Sequence, residues 1–122
     1  MKIHESAENY LETILILEKR IGMVRSIDIA TELDYTKPSV SVAMKHLRTD
    51  GYIEVDKGGY ITLLDKGRQI AEKMYERHTL ITNWLKAIGV SDGVAAEDAC
   101  KIEHVISEES FEAIKRVISS DN

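Results

Sequence analysis

Apolar residues recur along this chain with two periods, and the periods divide it into helices, one hairpin and further helices. Over residues 5–21, Ala7, Tyr10, Leu11, Ile14, Leu15, Leu17 and Ile21 fall at helical spacing, and Gly22 ends the run. A short helix is expected over Ile27–Leu33, with Ser26 as its cap and Asp28 in the first turn complementing the helix dipole. Asp34, Tyr35 and Thr36 break the pattern. Pro38 suits a first helical position, and the helix it opens runs to about Asp50 and stops at Gly51. In that helix Val40, Met44 and Leu47 form the buried stripe, while Lys37, Ser39, Ser41, Val42, Lys45 and Arg48 make up the remaining surface.

Tyr52–Val55 and Tyr60–Leu63 alternate with period two around Asp56-Lys57-Gly58-Gly59, which predicts a β-hairpin. Residues 65–88 read as one long helix with Ile70, Met74, Ile81 and Leu85 as its stripe, stopped by Gly89. A last helical region is expected from about Ala95 to Ser119, broken near Ser107. No internal repeat, low-complexity tract or flexible linker is present. The fold class is therefore mainly α. An N-terminal winged helix-turn-helix over 1–64 is followed directly by a helical region over 65–122.

Helix, short helix, tight turn, helix and hairpin is the winged helix-turn-helix order, in which the second helix of the motif enters the major groove of DNA and the hairpin follows the phosphates. Ser39, Ser41 and Lys45 have the chemistry for phosphate contacts, and Val42 suits a thymine methyl. Lys57, at a hairpin tip whose Gly58 and Gly59 allow close backbone approach, suits a further phosphate. The DNA-facing set is Ser26, Thr36, Lys37, Pro38, Ser39, Ser41, Val42, Lys45 and Lys57. A winged helix that contacts only protein, with its lysines merely solvated, is the alternative.

Charge at first argues against nucleic acid, because the chain carries −5. Its distribution changes that reading. Residues 93–122 hold seven acids against three bases, so residues 1–92 carry only −1, and a locally basic face remains available in the N-terminal half. One cysteine among 122 residues excludes an internal disulfide. No apolar run reaches membrane-spanning length, the polar start Met1–Glu5 has no signal-peptide core, and a cytoplasmic location without membrane partners is expected. His4 and His46 read as solvated, His46 within reach of phosphate.

Candidate chemistry concentrates in Cys100-Lys101-Ile102-Glu103-His104. At 3.6 residues per turn, Glu103 and His104 lie one turn beyond Cys100, on either side of it. Thiolate, carboxylate and imidazole on so narrow an arc suit a divalent transition metal. The same spacing also fits a small buried Cys beside a solvated Glu and His. His78 falls on the buried stripe of the long helix, where a satisfied core histidine is the simpler reading. Glu12, one face with Asn9, interrupts apolar neighbours in the first helix, or else marks the edge of that stripe. One metal gathering Asn9, Glu12, His78, Cys100, Glu103 and His104 accounts for all these polar intrusions together. An enzyme is not expected: the chain has no H-E-x-x-H, Gly-rich phosphate loop or G-x-S-x-G turn. The competing regulator is metal-independent, sensing an oxidant through Cys100 or a small ligand.

Taken in order, Glu8-Asn9-Tyr10-Leu11-Glu12-Thr13-Ile14, Ser26-Ile27-Asp28-Ile29-Ala30, Pro38-Ser39-Val40-Ser41, Arg77-His78 and Cys100–Val105 resemble the metalloregulators typified by the diphtheria toxin repressor and the manganese transport regulator. The resemblance runs from about Glu8 to Glu108. It implies a winged helix followed by a metal-binding and dimerisation domain, and a homodimeric, metal-activated repressor of metal-homeostasis genes acting on a double-stranded DNA operator, with no organic substrate. Some relatives add an SH3-like domain, and this chain ends too early for one, as in the manganese branch. The implied ligand set is a hybrid. Cys100 stands where the iron branch has Cys and the manganese branch Glu, whereas Glu12 matches a manganese-branch ligand. Asn9 replaces an Asp or a Met. Thr82 and Ala96 replace ligands of the iron branch's ancillary site, and Leu64 replaces the usual Thr before the long helix, leaving Asp65 as its cap.

Carboxylate and water suit Mn²⁺ better than thiolate does, so the Cys100 position favours Fe²⁺, with Mn²⁺ next and Co²⁺, Ni²⁺ or Zn²⁺ as ions that bind in vitro. Cys100→Ala is accordingly expected to weaken metal-dependent DNA binding. Unchanged activation by metal in that variant would remove Cys100 from the ligand set.

Overall fold

The structure is a computed structural model that describes residues 5–120; His4 lies outside them. In order, the elements are α1 (Glu5–Ile21), α2 (Ser26–Leu33), α3 (Lys37–Thr49), β1 (Ile53–Val55), β2 (Ile61–Leu63), α4 (Asp65–Ala87), α5 (Asp92–Val105) and α6 (Glu108–Ser120). The chain divides into two compact units that meet within α4, between Lys73 and Met74.

In the first unit, Leu11, Ile14, Leu15 and Leu17 of α1 share one core with Ile29, Val40, Met44, Leu47, Ile53 and Leu63. Ile21 is half exposed, because α1 ends there and Gly22, at φ +84°, turns the chain away. The start of α2 corrects the expected cap. Arg25 holds the cap position and Ser26 is already helical. The Asp28 carboxylate accepts from the Arg25 backbone N–H at 2.9 Å, so the acid in the first turn reaches back to satisfy a donor. In α3 the side chain of Thr36 accepts from the Ser39 N–H, and Pro38 falls one position later than expected, after Lys37. Pro38 is tolerated there because no N–H in the first turn has an intrahelical partner.

β1 and β2 pair antiparallel in the register Ile53↔Leu63, Glu54↔Thr62 and Val55↔Ile61. The Asp56 carboxylate closes the tip by accepting from the N–H groups of Gly58 and Tyr60, each at 2.9 Å. Lys57 is left exposed at the tip. Asp65 is the first residue of α4 rather than its cap. Leu64 stands in the flanking position, and its carbonyl accepts from the Arg68 N–H at 2.8 Å.

The second unit is built on Ile81, Ala99 and Phe111, with Leu80, Leu85, Ile102 and Ile106 against them. Its α5 begins three residues before Ala95: Ser91 takes the cap position and Asp92 the first turn, a polar start that carries no apolar periodicity. The break between α5 and α6 falls at Ile106–Ser107.

One contact in the first unit is unusually close. A Cβ on Gly67 would stand 2.2 Å from the carbonyl oxygen of Tyr52, whereas a Cβ on Gly93 in α5 would meet nothing within 4 Å. Gly67 lets α4 lie against the chain entering the hairpin. Gly67→Ala is expected to destabilise the protein by about 3 kcal/mol in urea unfolding, and Gly93→Ala to stabilise it by about 0.5 kcal/mol. Equal effects would contradict the close approach.

Candidate metal centre and nucleic-acid interface

Helix α5 buries Ala95, Ala99 and Glu103, which recur at i, i+4 and i+8 and so share one face. Two of these are methyl groups and the third is a carboxylate, fully buried at 0% exposure. Both Glu103 carboxylate oxygens lie out of solvent and accept no hydrogen bond among the described residues. Their nearest polar neighbours are imidazole nitrogens: His78 Nδ1 of α4 at 3.6 Å and His104 Nε2 at 3.7 Å from Glu103 Oε1. Ligand atoms of Cys100, Glu103 and His104 all lie within 4.8 Å of one another. The His104 side chain is 3% exposed and His78 30%, while Cys100 is exposed. A small buried Cys beside a solvated Glu is thus the reverse of what this helix presents.

A buried carboxylate without donors needs a countercharge. Nitrogen, oxygen and sulfur donors converging on it fit a divalent transition metal. The donor set and the donor-free carboxylate therefore pass the chemical test for such an ion.

Arg77 enters the sequence reading only as part of the Arg77-His78 motif, with no role of its own. It is 4% exposed, and its Nη1 donates to the carbonyls of Glu103 and Ile106, both at 3.0 Å. Its guanidinium also lies 5.3 Å from the Phe111 ring centroid. Those carbonyls belong to the end of α5, where the helix leaves acceptors without intrahelical partners and favours positive charge. Arg77 thereby fixes the turn that carries Glu103 and His104 against α4, next in sequence to His78.

Asn9 and Glu12 belong to the first unit. Glu12 is 4% exposed, with Leu11, Ile14 and Leu15 buried around it in α1. Asn9 is half-buried, and its backbone carbonyl accepts from the Thr13 hydroxyl at 2.8 Å. Glu12 is thus a core position, not the edge of a stripe.

Of the residues expected to face DNA, Thr36, Lys37, Pro38, Ser39, Ser41, Val42, Lys45 and Lys57 are exposed and Ser26 is half-buried. His46 is exposed as expected. Several bases are paired, among them five outside α3 and the hairpin tip. Arg20 bonds Glu32, Arg68 bonds Glu18, Lys115 bonds Glu76, and Lys86 and Lys101 lie by Asp92 and Glu97. The side chains of Lys37, Lys45, Arg48 and Lys57 make no hydrogen bond or ion pair among the described residues. Cations without partners on a winged helix-turn-helix, in a chain with excess acid, suit a polyanion.

A winged helix joined to a cluster of metal-ligating side chains is the plan of a metal-responsive transcriptional regulator. Comparison with known proteins makes the assignment narrower. The chain belongs to the iron-dependent repressor family of metal-dependent transcriptional regulators: residues 2–60 match that family's N-terminal DNA binding domain and residues 64–120 its metal binding and dimerisation domain. The transcriptional regulator MntR of Escherichia coli O6:H1 strain CFT073 is 34% identical over 111 residues, covering 91% of this chain and 72% of that protein. The HTH-type transcriptional regulator MntR of Geobacillus kaustophilus is 36% identical over 112 residues, covering 92% and 77%. Among solved structures, the manganese regulator SloR superposes with a TM-score of 0.80 at 26% identity, and IdeR of T. acidophilum with 0.77 at 27%. They cover 98% and 96% of this chain, which spans 55% of each of theirs. The winged-helix fold expected from the sequence is the fold of these relatives.

Metal should raise the thermal midpoint by binding the folded state, worth about 2.7 kcal/mol at a hundredfold excess over Kd. Glu103→Gln is expected to abolish that rise while leaving the metal-free midpoint equal or higher, since it removes a buried charge. A full metal-induced rise in the variant would make Glu103 a structural residue only.

Proposed function

We propose that this chain is a metal-activated, DNA-binding transcriptional repressor that acts as a homodimer in the cytoplasm, with Fe²⁺ preferred and Mn²⁺ next, controlling metal-homeostasis genes. The observation that carries the reading is the buried, donor-free Glu103 carboxylate between two imidazoles and beside Cys100. His78, Cys100, Glu103 and His104 hold the ion from the metal-binding and dimerisation domain, residues 65–122. Asn9 and Glu12 hold it from the DNA-binding domain, residues 1–64, with Asn9 giving a neutral amide oxygen. The bound ion supplies positive charge that neutralises the carboxylates of both domains at once.

Joining the domains in this way selects one orientation of α3 relative to the dimer axis. Two copies of α3 must reach successive major grooves roughly 34 Å apart, or a multiple of that. Metal promotes DNA binding only by preferring that geometry, and DNA then tightens metal binding by the same factor. On DNA, α3 presents Pro38, Ser39, Ser41, Val42 and Lys45, with Ser26, Thr36 and Lys37 beside them and Lys57 at the wing. The dimer reading is supported by an apolar groove of about 720 Å³ on α4 and α6, lined by Tyr75, Leu80, Trp84, Ile88 and Ile118 among others. It lies within the stretch that matches the family's dimerisation domain.

Exposed Cys100 favours Fe²⁺, because a thiolate is a poor match for Mn²⁺. The relatives named above include a manganese regulator, so the preference is a claim about this ligand set. Binding to the chain's own upstream DNA, at fixed salt, in chelator and then with anaerobic Fe²⁺ or Mn²⁺, tests both parts. Tight binding only with metal, and at lower Fe²⁺ than Mn²⁺, is the expected result. Stronger activation by Mn²⁺ would reverse the preference. Equal binding in chelator would overturn metal activation and favour oxidant sensing at Cys100.

A further inference from the structure

Helix α3 has three surfaces. Val40, Met44 and Leu47 are buried. Val42 and His46 lie roughly opposite them, at the outward face. Between these two runs a flank of Lys37, Ser41, Lys45 and Arg48, spaced four, four and three residues apart.

Two small clefts follow this flank. One, of about 180 Å³, is lined by Ser26, Ile27, Lys37 and Ser41. The other, of about 230 Å³, is lined by Ser26, Ser41, Met44, Lys45, Arg48 and Val55. They share Ser26 and Ser41, so together they form a trough from the start of α2, along α3, to the end of β1. Its polar lining is two hydroxyls and three cations, with no carboxylate. The Arg48 guanidinium makes no hydrogen bond or ion pair among the described residues.

We propose that Arg48 is a backbone-anchoring residue, holding a phosphodiester of double-stranded DNA where the recognition helix meets the wing. The inference rests on the DNA-binding reading above and adds a residue outside the DNA-facing set expected from the sequence. Arg48 belongs to the flank rather than the outward face, so it takes a phosphate and leaves the base edges to Val42 and its neighbours. A guanidinium also suits the task, because its planar fork meets two phosphate oxygens at once. The competing role is structural: Arg48 is in the last turn of α3, where a cation favours the helix dipole.

The test uses the full chain loaded with Mn²⁺ and its own upstream DNA, with affinity measured from about 0.05 to 0.2 M salt. Arg48→Gln is expected to reduce the slope of log affinity against log salt by about 0.9 for each subunit bound. Binding should weaken evenly across point variants of the site. Arg48→Lys, which keeps the charge, should retain the slope. An unchanged slope in Arg48→Gln overturns the proposal, and so does a loss confined to particular base pairs, which would make Arg48 a base reader. A lowered thermal midpoint with an unchanged slope would leave only the helix-end role and overturn it as well. Wild type that binds this DNA while Arg48→Gln keeps its slope leaves the DNA-binding reading intact; wild type that binds no DNA brings down both.

Discussion

A carboxylate withdrawn from water and given no hydrogen-bond donor is among the least favourable groups a folded chain can hold. α5 places one at Glu103, at the third position of a face whose other two members are alanines. The small side chains let α5 approach its neighbours closely. His78 of α4 comes to the carboxylate, which His104, next in sequence, flanks from α5 itself, and Arg77 of α4 secures the end of α5 through two carbonyls. The second unit is organised around a charge that its own hydrogen bonds do not satisfy.

Arg77 and Glu103 divide the work. Arg77 is a permanent cation, yet its hydrogen bonds go to neutral carbonyls at a helix end and not to the carboxylate. Glu103 is therefore left with imidazoles, which are charged only when protonated. Had the guanidinium paired with Glu103, the site would be electrostatically complete without metal. Sending the fixed charge to the backbone keeps the carboxylate available.

Much of this architecture was legible in the chain. α1 runs over the residues that its apolar period marks, Glu5–Ile21, and the hairpin and the Asp34–Thr36 break stand as read. Those features are local, set by periodicity and by turn residues. The cap of α2 was misplaced because Ser26 looks like a cap, whereas Asp28 satisfies the same donor from inside the helix. The start of α5 was set too late because Asp92 and Gly93 carry no apolar signal. Arg77 was legible as half of the Arg77-His78 motif but its role was not, since its partners lie 26 and 29 residues away and are backbone carbonyls. Within Cys100–His104 the ligand types were legible, but which of them is buried was not. Glu103 and Cys100 exchange the places that their polarity alone would assign.

The pairing pattern of the basic residues has a consequence for how such a chain finds its site. At a net charge of −5, the chain as a whole offers DNA no long-range attraction, and beyond a Debye length, about 8 Å at physiological salt, its charges are screened. Attraction begins only when the uncompensated face of α3 is already turned towards the duplex. Orientations that turn another face to the duplex gain no such attraction, so the productive encounter is selected by one face of one helix.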